Sequence, residues 1–120
     1  MIYTSSYSKY KGDRGVQISC SKPGFAKVYR SLPCLYPNWC DVKEWNKYKS
    51  LPDDDKEKIE AWERYTKSYW NKLVKTGPER ILSVLSDGDV LLCWCYKDKN
   101  CHRSILAKWL GMYGVEVKEL

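Results

Sequence analysis

Short apolar runs alternate with longer amphipathic stretches along this chain. Residues 1–4 are short and β-prone and predict a first strand, ending in the hydroxyl cluster Thr4-Ser5-Ser6. Gly15-Val16-Gln17-Ile18-Ser19-Cys20 alternates apolar and polar and predicts a second. Residues 21–50 have little periodicity and are broken by Pro23, Pro33 and Pro37; they predict a loop covering one edge of the sheet, with room for a short helix over 41–49. After Asp53-Asp54-Asp55, a capping cluster, Ile59, Trp62, Thr66, Tyr69, Trp70 and Leu73 recur at helical spacing and predict one buried face. Gly77-Pro78 ends that helix and opens a shorter one through Ile81, Leu82, Val84 and Leu85. The run Val90-Leu91-Leu92-Cys93-Trp94-Cys95-Tyr96 predicts a buried strand. A last helix, with Ile105, Leu106, Trp109, Leu110 and Tyr113 inward, leads through Gly114 to a strand at 115–117. Strand, helix, strand in that order is a βαβ unit. The fold expected is α/β, a small, mostly parallel Rossmann-like sheet flanked by helices.

Length and composition narrow the setting. A chain of 120 residues with 43% hydrophobic and 30% charged residues fits one globular domain over 1–120 and argues against an extended disordered protein. No apolar stretch approaches the roughly 18 to 20 residues of a membrane span. The opening Met1-Ile2-Tyr3-Thr4-Ser5-Ser6 lacks the basic and apolar regions of a secretory signal, so a cytoplasmic, reducing location is expected, with no membrane partner. The net charge of +6 is unevenly placed: residues 1–50 hold nine Lys and Arg against three acids, together with six of the ten tyrosines. A basic, Tyr-rich segment attracts phosphates and stacks bases, although a solvated surface with core aromatics has the same composition.

Six cysteines in so short a chain raise two questions, disulfides and metal. Disulfides would require an oxidising compartment that the start of the chain does not indicate. Cys20, Cys34 and Cys40 are expected to be free, buried cysteines acting as small hydrophobes. Cys93 and Cys95 share a strand face, and Cys101 and His102 follow closely, so these four soft ligands form a candidate zinc site. Two ligands inside a core strand are unusual for a closed zinc site, and the expectation is no cofactor, with zinc as the alternative.

In open α/β sheets, ligands sit beyond the carboxyl ends of the strands, near helix N-termini. Here that place holds Cys101-His102-Arg103-Ser104. The helix start offers unpaired N–H groups and partial positive charge, Arg103 a donor fork for phosphate or carboxylate, and Ser104 a cap or hydroxyl donor. The dipole and cationic neighbours would favour a Cys101 thiolate, and His102, the single histidine, is a candidate proton carrier. Thr4, Ser5 and Ser6 would line the same cleft from a neighbouring strand, with Cys93 and Cys95 beside them.

The pieces Leu91-Leu92-Cys93, Cys101-His102-Arg103-Ser104, Leu106-Ala107, Trp109-Leu110 and Gly114-Val115-Glu116-Val117 together resemble the domain-of-unknown-function family numbered 488. Ile2-Tyr3-Thr4-Ser5 and Gly15-Val16-Gln17-Ile18-Ser19 are similar to that family's start, and the likeness thins between 21 and 75. The resemblance implies a small bacterial or phage α/β protein and brings no established activity. Cys95 stands where an acidic residue is common in that family. A likeness to phosphatase loops fails: Cys95 precedes Arg103 by eight positions, and the loop has no glycine to turn its amides inward. The expected function is binding of a phosphate-bearing ligand, a nucleotide or nucleic acid, at residues 101–104. If the protein is an enzyme, Cys101 is the expected nucleophile and His102 the proton carrier. The alternative is a non-catalytic protein-interaction factor with a structural Cys/His cluster.

Overall fold

Val90–Cys93, the first four residues of the 90–96 run that predicts a buried strand, lie at the centre of the sheet; the strand stops there, and Trp94 is exposed. The computed structural model describes residues 1–94 and 101–120. In chain order the strands are β1 (Ile2–Ser6), β2 (Gly15–Gln17), β3 (Arg30–Ser31), β4 (Val90–Cys93) and β5 (Val117–Glu119). The helices are α1 (Trp39–Tyr48), α2 (Lys56–Thr76), α3 (Pro78–Val84) and α4 (His102–Met112), with a 3-10 turn at Pro33–Leu35. All pairings are parallel, in the order β3-β2-β4-β1-β5. Every β4 residue is buried, as a strand covered on both faces must be.

The two faces are covered differently. On one, Ile2, Val16 and Leu91 pack beneath Trp45, Tyr65, Tyr69, Ile81, Leu106 and Trp109, so all four helices lie there. On the other, Val90 and Leu92 meet Tyr7 and Ala26, with Tyr3, Tyr10 and Val28 packed around them, and no described helix contributes. Gly15 permits the close approach of this loop layer: a Cβ there would stand 2.8 Å from Leu92 Cδ1 and 3.1 Å from the Lys27 carbonyl oxygen.

The expected fold class is the one observed, but several boundaries move. β1 runs on through Ser6, which draws the hydroxyl cluster into the strand. β2 stops at Gln17. The 21–50 stretch, expected as a loop cover with room for a short helix over 41–49, contributes the edge strand β3, held by Val16–Arg30 and Gln17–Ser31 pairings, and that helix as α1, which already begins at Trp39. β5 begins at Val117 because the Val115 amide caps α4, donating to the Leu110 carbonyl. Tyr113 is half-exposed, not part of the buried stripe.

Helix α2 is rotated from its expected face. Its core line keeps the expected Tyr69 and Leu73 and adds Ala61 and Tyr65, whereas Ile59 is 45% exposed. Two polar ends on that line are satisfied locally: Tyr69 O–H donates to the Leu35 carbonyl (2.7 Å), and the buried Lys58 ammonium donates to Asp53 and the Leu51 carbonyl. Burial therefore does not penalise them as it would unpaired groups. Trp62 instead stacks on Tyr65 at the margin, their rings 5.4 Å apart. Asp55 caps α2 as expected, accepting from the Glu57 and Lys58 amides.

Candidate functional site: a buried dithiol beside an imidazole and a guanidinium

Strand β4 ends and α4 begins at one point, which brings Cys93, Cys101, His102 and Arg103 together. Cys101 is the N-cap residue of α4 with extended backbone angles, so its side chain turns back toward the strand end. The Cys93 and Cys101 sulfurs are 2.8 Å apart. Arg103 Nη1 donates to Cys93 Sγ at 3.0 Å. His102 Nδ1 lies 3.8 Å from Cys101 Sγ, and Nε2 is 2.8 Å from the Ile18 carbonyl oxygen. A carbonyl only accepts, so Nε2 carries a proton and Nδ1 is the nitrogen presented to the thiol. Tyr69 meets the imidazole edge-on, with centroids 5.4 Å apart.

Arg103 is 7% exposed and its charge is countered on two sides. Nε donates to Glu119 Oε1 at 3.0 Å, and Thr4 Oγ1 donates to the same oxygen at 2.7 Å. Burial works against the guanidinium's charge, but Cys93, Cys101 and Glu119 more than offset it, and its pKa stands above the ordinary arginine value. The polar chain is therefore Thr4, Glu119, Arg103, Cys93, crossing three adjacent strands.

A cavity of about 330 Å³ opens onto the thiols and His102. Trp39, Trp45, Tyr65 and Trp94 form its aromatic walls, while Ser19, Asn46 and Lys49 add polar groups. A hydrogen-bonded chain borders it: Tyr7 O–H donates to Ser19 Oγ (2.5 Å), Ser19 donates to the Ser21 carbonyl, and Trp94 Nε1 donates to that same carbonyl. Burial, opposed by the Ser19 hydroxyl, which would turn to donate to a phenolate, and assisted by Cys93, pushes the Tyr7 phenol up to about 12. Folded Tyr7 thus keeps a proton that an unfolded tyrosine releases near pH 10, so stability falls as pH rises between about 10 and 12. Across that window the protein is expected to lose on the order of 2 kcal/mol more than Tyr7→Phe in urea denaturation. Parallel stability curves for the two proteins would exclude this.

The expected site residues separate into groups. Cys93, Cys101 and His102 line the cavity, whereas Arg103 stands behind Cys93 rather than in the cavity wall. Ser104 Oγ donates to the Cys101 carbonyl (2.6 Å), acting within the helix start. Thr4 reaches the cluster through Glu119. Ser6 contacts Ser8 and the Lys9 amide, and the Ser5 hydroxyl is buried on the helix-free face with no hydrogen-bond partner among the described residues. Thr4, Ser5 and Ser6 are all buried and none lines the cavity. Cys95, expected both as a ligand-binding residue and as a fourth zinc ligand, lies outside the described residues. The other cysteines depart from expectation: Cys20 and Cys40 are exposed and Cys34 only half-buried, because each sits in a loop or at a helix start at the surface. Glu119 and the Ile18 carbonyl were not anticipated. Glu119 carries no sequence signal beyond being an acid on a short terminal strand.

A parallel α/β domain with a dithiol, an imidazole and a guanidinium at the carboxyl end of its central strand is the class these observations define. The chain belongs to the family described as domain of unknown function DUF488, whose profile matches residues 13–110. The match takes in β4 and all of α4's cluster residues but not β1 or β5, so Thr4 and Glu119 fall beyond it. No curated protein and no solved structure gives a significant match.

Proposed function

We propose that this protein is a thiol-dependent enzyme acting on a small, planar or apolar substrate held against the tryptophans of the cavity. The observation that carries the reading is the Arg103–Cys93–Cys101 contact. Donation from a guanidinium and from a neighbouring S–H both favour a thiolate on Cys93, in a site otherwise too buried to hold a lone negative charge. Cys93 is then the nucleophile, and Cys101 takes the role of proton relay to His102 Nδ1. Attack by the Cys93 thiolate forms a sulfur–substrate bond. The proton lost by Cys93 passes through Cys101 to His102 Nδ1, and the leaving group, departing with its electron pair, takes that proton back through Cys101. The phosphate-bearing ligand expected at Arg103 is less well supported here, because that guanidinium already serves Cys93 and Glu119.

The order in which the cysteines are alkylated tests the proposal. Iodoacetamide at pH 7, followed by peptide mass spectrometry, is expected to label the Cys93–Cys101 pair before the exposed Cys20 and Cys40. Labelling that follows exposure, with the pair last, would overturn it. A second reading has its own observation: ligand atoms of Cys93, Cys101 and His102 lie within 4.8 Å of one another, two thiols and an imidazole of the kind a soft divalent ion takes. The bond from His102 to the Ile18 carbonyl would orient it as a ligand. Stoichiometric zinc that shields both thiols from alkylation would favour this reading, although a guanidinium 3.0 Å from one sulfur opposes a cation there.

A further inference from the structure

We propose that the helix-free face of the sheet binds single-stranded nucleic acid, independently of the thiol site. Among the described residues this face is closed by the loops before β2 and β3, and those loops carry much of the chain's positive excess. Between residues 7 and 31 the cations are Lys9, Lys11, Arg14, Lys22, Lys27 and Arg30, and the one acid is Asp13. Two shallow grooves, of about 520 and 230 Å³, share Lys11, Gly12 and Lys27, so a ligand in one continues into the other past the same two ammonium groups. Asp13 borders the larger groove and is the one carboxylate among their lining residues.

Rings accompany the charges. Phe25 is 62% exposed beside the smaller groove, with Lys11 Nζ 5.1 Å from its centroid. Tyr29 borders the larger, with Arg14 and Arg30 Cζ at 4.7 and 5.4 Å from its ring. Both guanidiniums bind the buried Asp89, so two positive charges share one negative and the cluster keeps a net charge that attracts phosphate. Exposing a phenylalanine to water is unfavourable, and with Lys11 over one face of the exposed ring an unpaired base can stack on the ring while its phosphate meets the cation. A duplex hides its base faces, and among the described residues no helix or two-stranded ribbon projects from this face to read a groove, so the unpaired form is the one this surface fits.

The test is fluorescence anisotropy with a labelled fifteen-nucleotide oligothymidylate at low salt, run beside a duplex of equal length and vesicles containing phosphatidylserine. Micromolar binding of the single strand is expected, tighter than the duplex. Phe25→Ala is expected to weaken it about tenfold through lost stacking. Lys11→Gln with Lys27→Gln is expected to weaken it about tenfold at low salt and to flatten the log–log salt slope by about 1.4, roughly 0.7 per lost phosphate contact. Phe25, Lys11 and Lys27 are exposed, so these variants retain the fold. Cys93→Ser should bind as the parent protein does, which separates this proposal from the thiol chemistry. No single-strand binding, a preference for the duplex or for vesicles alone, or full affinity in Phe25→Ala would each overturn the proposal.

Discussion

Replacing Arg103 with alanine is expected to slow alkylation of the Cys93–Cys101 pair at pH 7 by about ten- to a hundredfold, with Cys20 and Cys40 unchanged. The two sulfurs sit in an interior that disfavours charge, at 1% and 3% exposure. Burial alone would keep both as neutral thiols. If Cys93 is a thiolate, as proposed, the guanidinium 3.0 Å away is the charge that stabilises it, and a tenfold loss of reactive form corresponds to about 1.4 kcal/mol of that stabilisation. Lysine should rescue only in part, because one ammonium cannot reproduce the separate bonds from Nε to Glu119 and from Nη1 to Cys93. Glu119→Gln isolates positioning from charge. It leaves the guanidinium in place but loosens its hold, so a smaller fall in rate is expected than for Arg103→Ala. Glu119 is about half-exposed, and its exposed edge lets water take over part of the lost bond. A folded Arg103→Ala protein that alkylates at the parental rate would show that the arginine is structural only.

The elements that sequence made legible are those whose signal is local. Asp55 before an amphipathic run, Gly77-Pro78 after it and the apolar Val90–Cys93 segment each state their structure within a few residues, and the parallel sheet follows from the alternation of strand and helix. The α2 face was misjudged because two stripes on that helix are equally aromatic. Hydrophobicity favours Ile59 and Trp62, but Ala61 and Tyr65 join the expected Tyr69 and Leu73 in the core, and the Tyr69 hydroxyl finds the Leu35 carbonyl across 34 positions of sequence. β3 escaped because a two-residue edge strand has no periodicity to read.

The cluster itself was half legible. Cys93, Cys101, His102 and Arg103 stood out by residue type near a strand-to-helix turn, yet the role of Arg103 depends on partners far along the chain or across the sheet. Glu119 reaches it only because β5 pairs with β1, which also brings Thr4 to the same carboxylate. Local spacing could place the guanidinium at a helix start. It could not tell whether that group faces an incoming anion or a sulfur of its own chain, and those alternatives separate ligand binding from thiol activation.

Asp89→Ala is expected to cost about 3 kcal/mol in urea denaturation, near the low end for breaking a buried ion pair. The residue is fully buried between the Asp87-Gly88 turn and β4, and nothing in its local sequence marks it. Its carboxylate accepts from Arg14 Nη2 (3.1 Å), Arg30 Nη2, the Tyr29 hydroxyl and the Ser86 amide (2.9 Å). Arg14 precedes β2, Arg30 begins β3, and the Asp89 carbonyl accepts from the Tyr3 amide of β1, so one residue gathers the amino ends of four strands. Alanine leaves two guanidiniums without their counter-charge. Because those side chains are 44% and 29% exposed, they can turn to solvent, which keeps the loss below that of a fully enclosed pair. Asn at the same position keeps the shape and some of the acceptors but not the charge, and about half the loss is expected. The arginines freed by Asn carry more net positive charge on the face assigned to nucleic acid, so Asp89→Asn should bind the oligothymidylate more tightly while being less stable. A loss under about 1 kcal/mol in Asp89→Ala would mean that the cluster behaves as an ordinary surface ion pair and that strand pairing alone holds this end of the sheet.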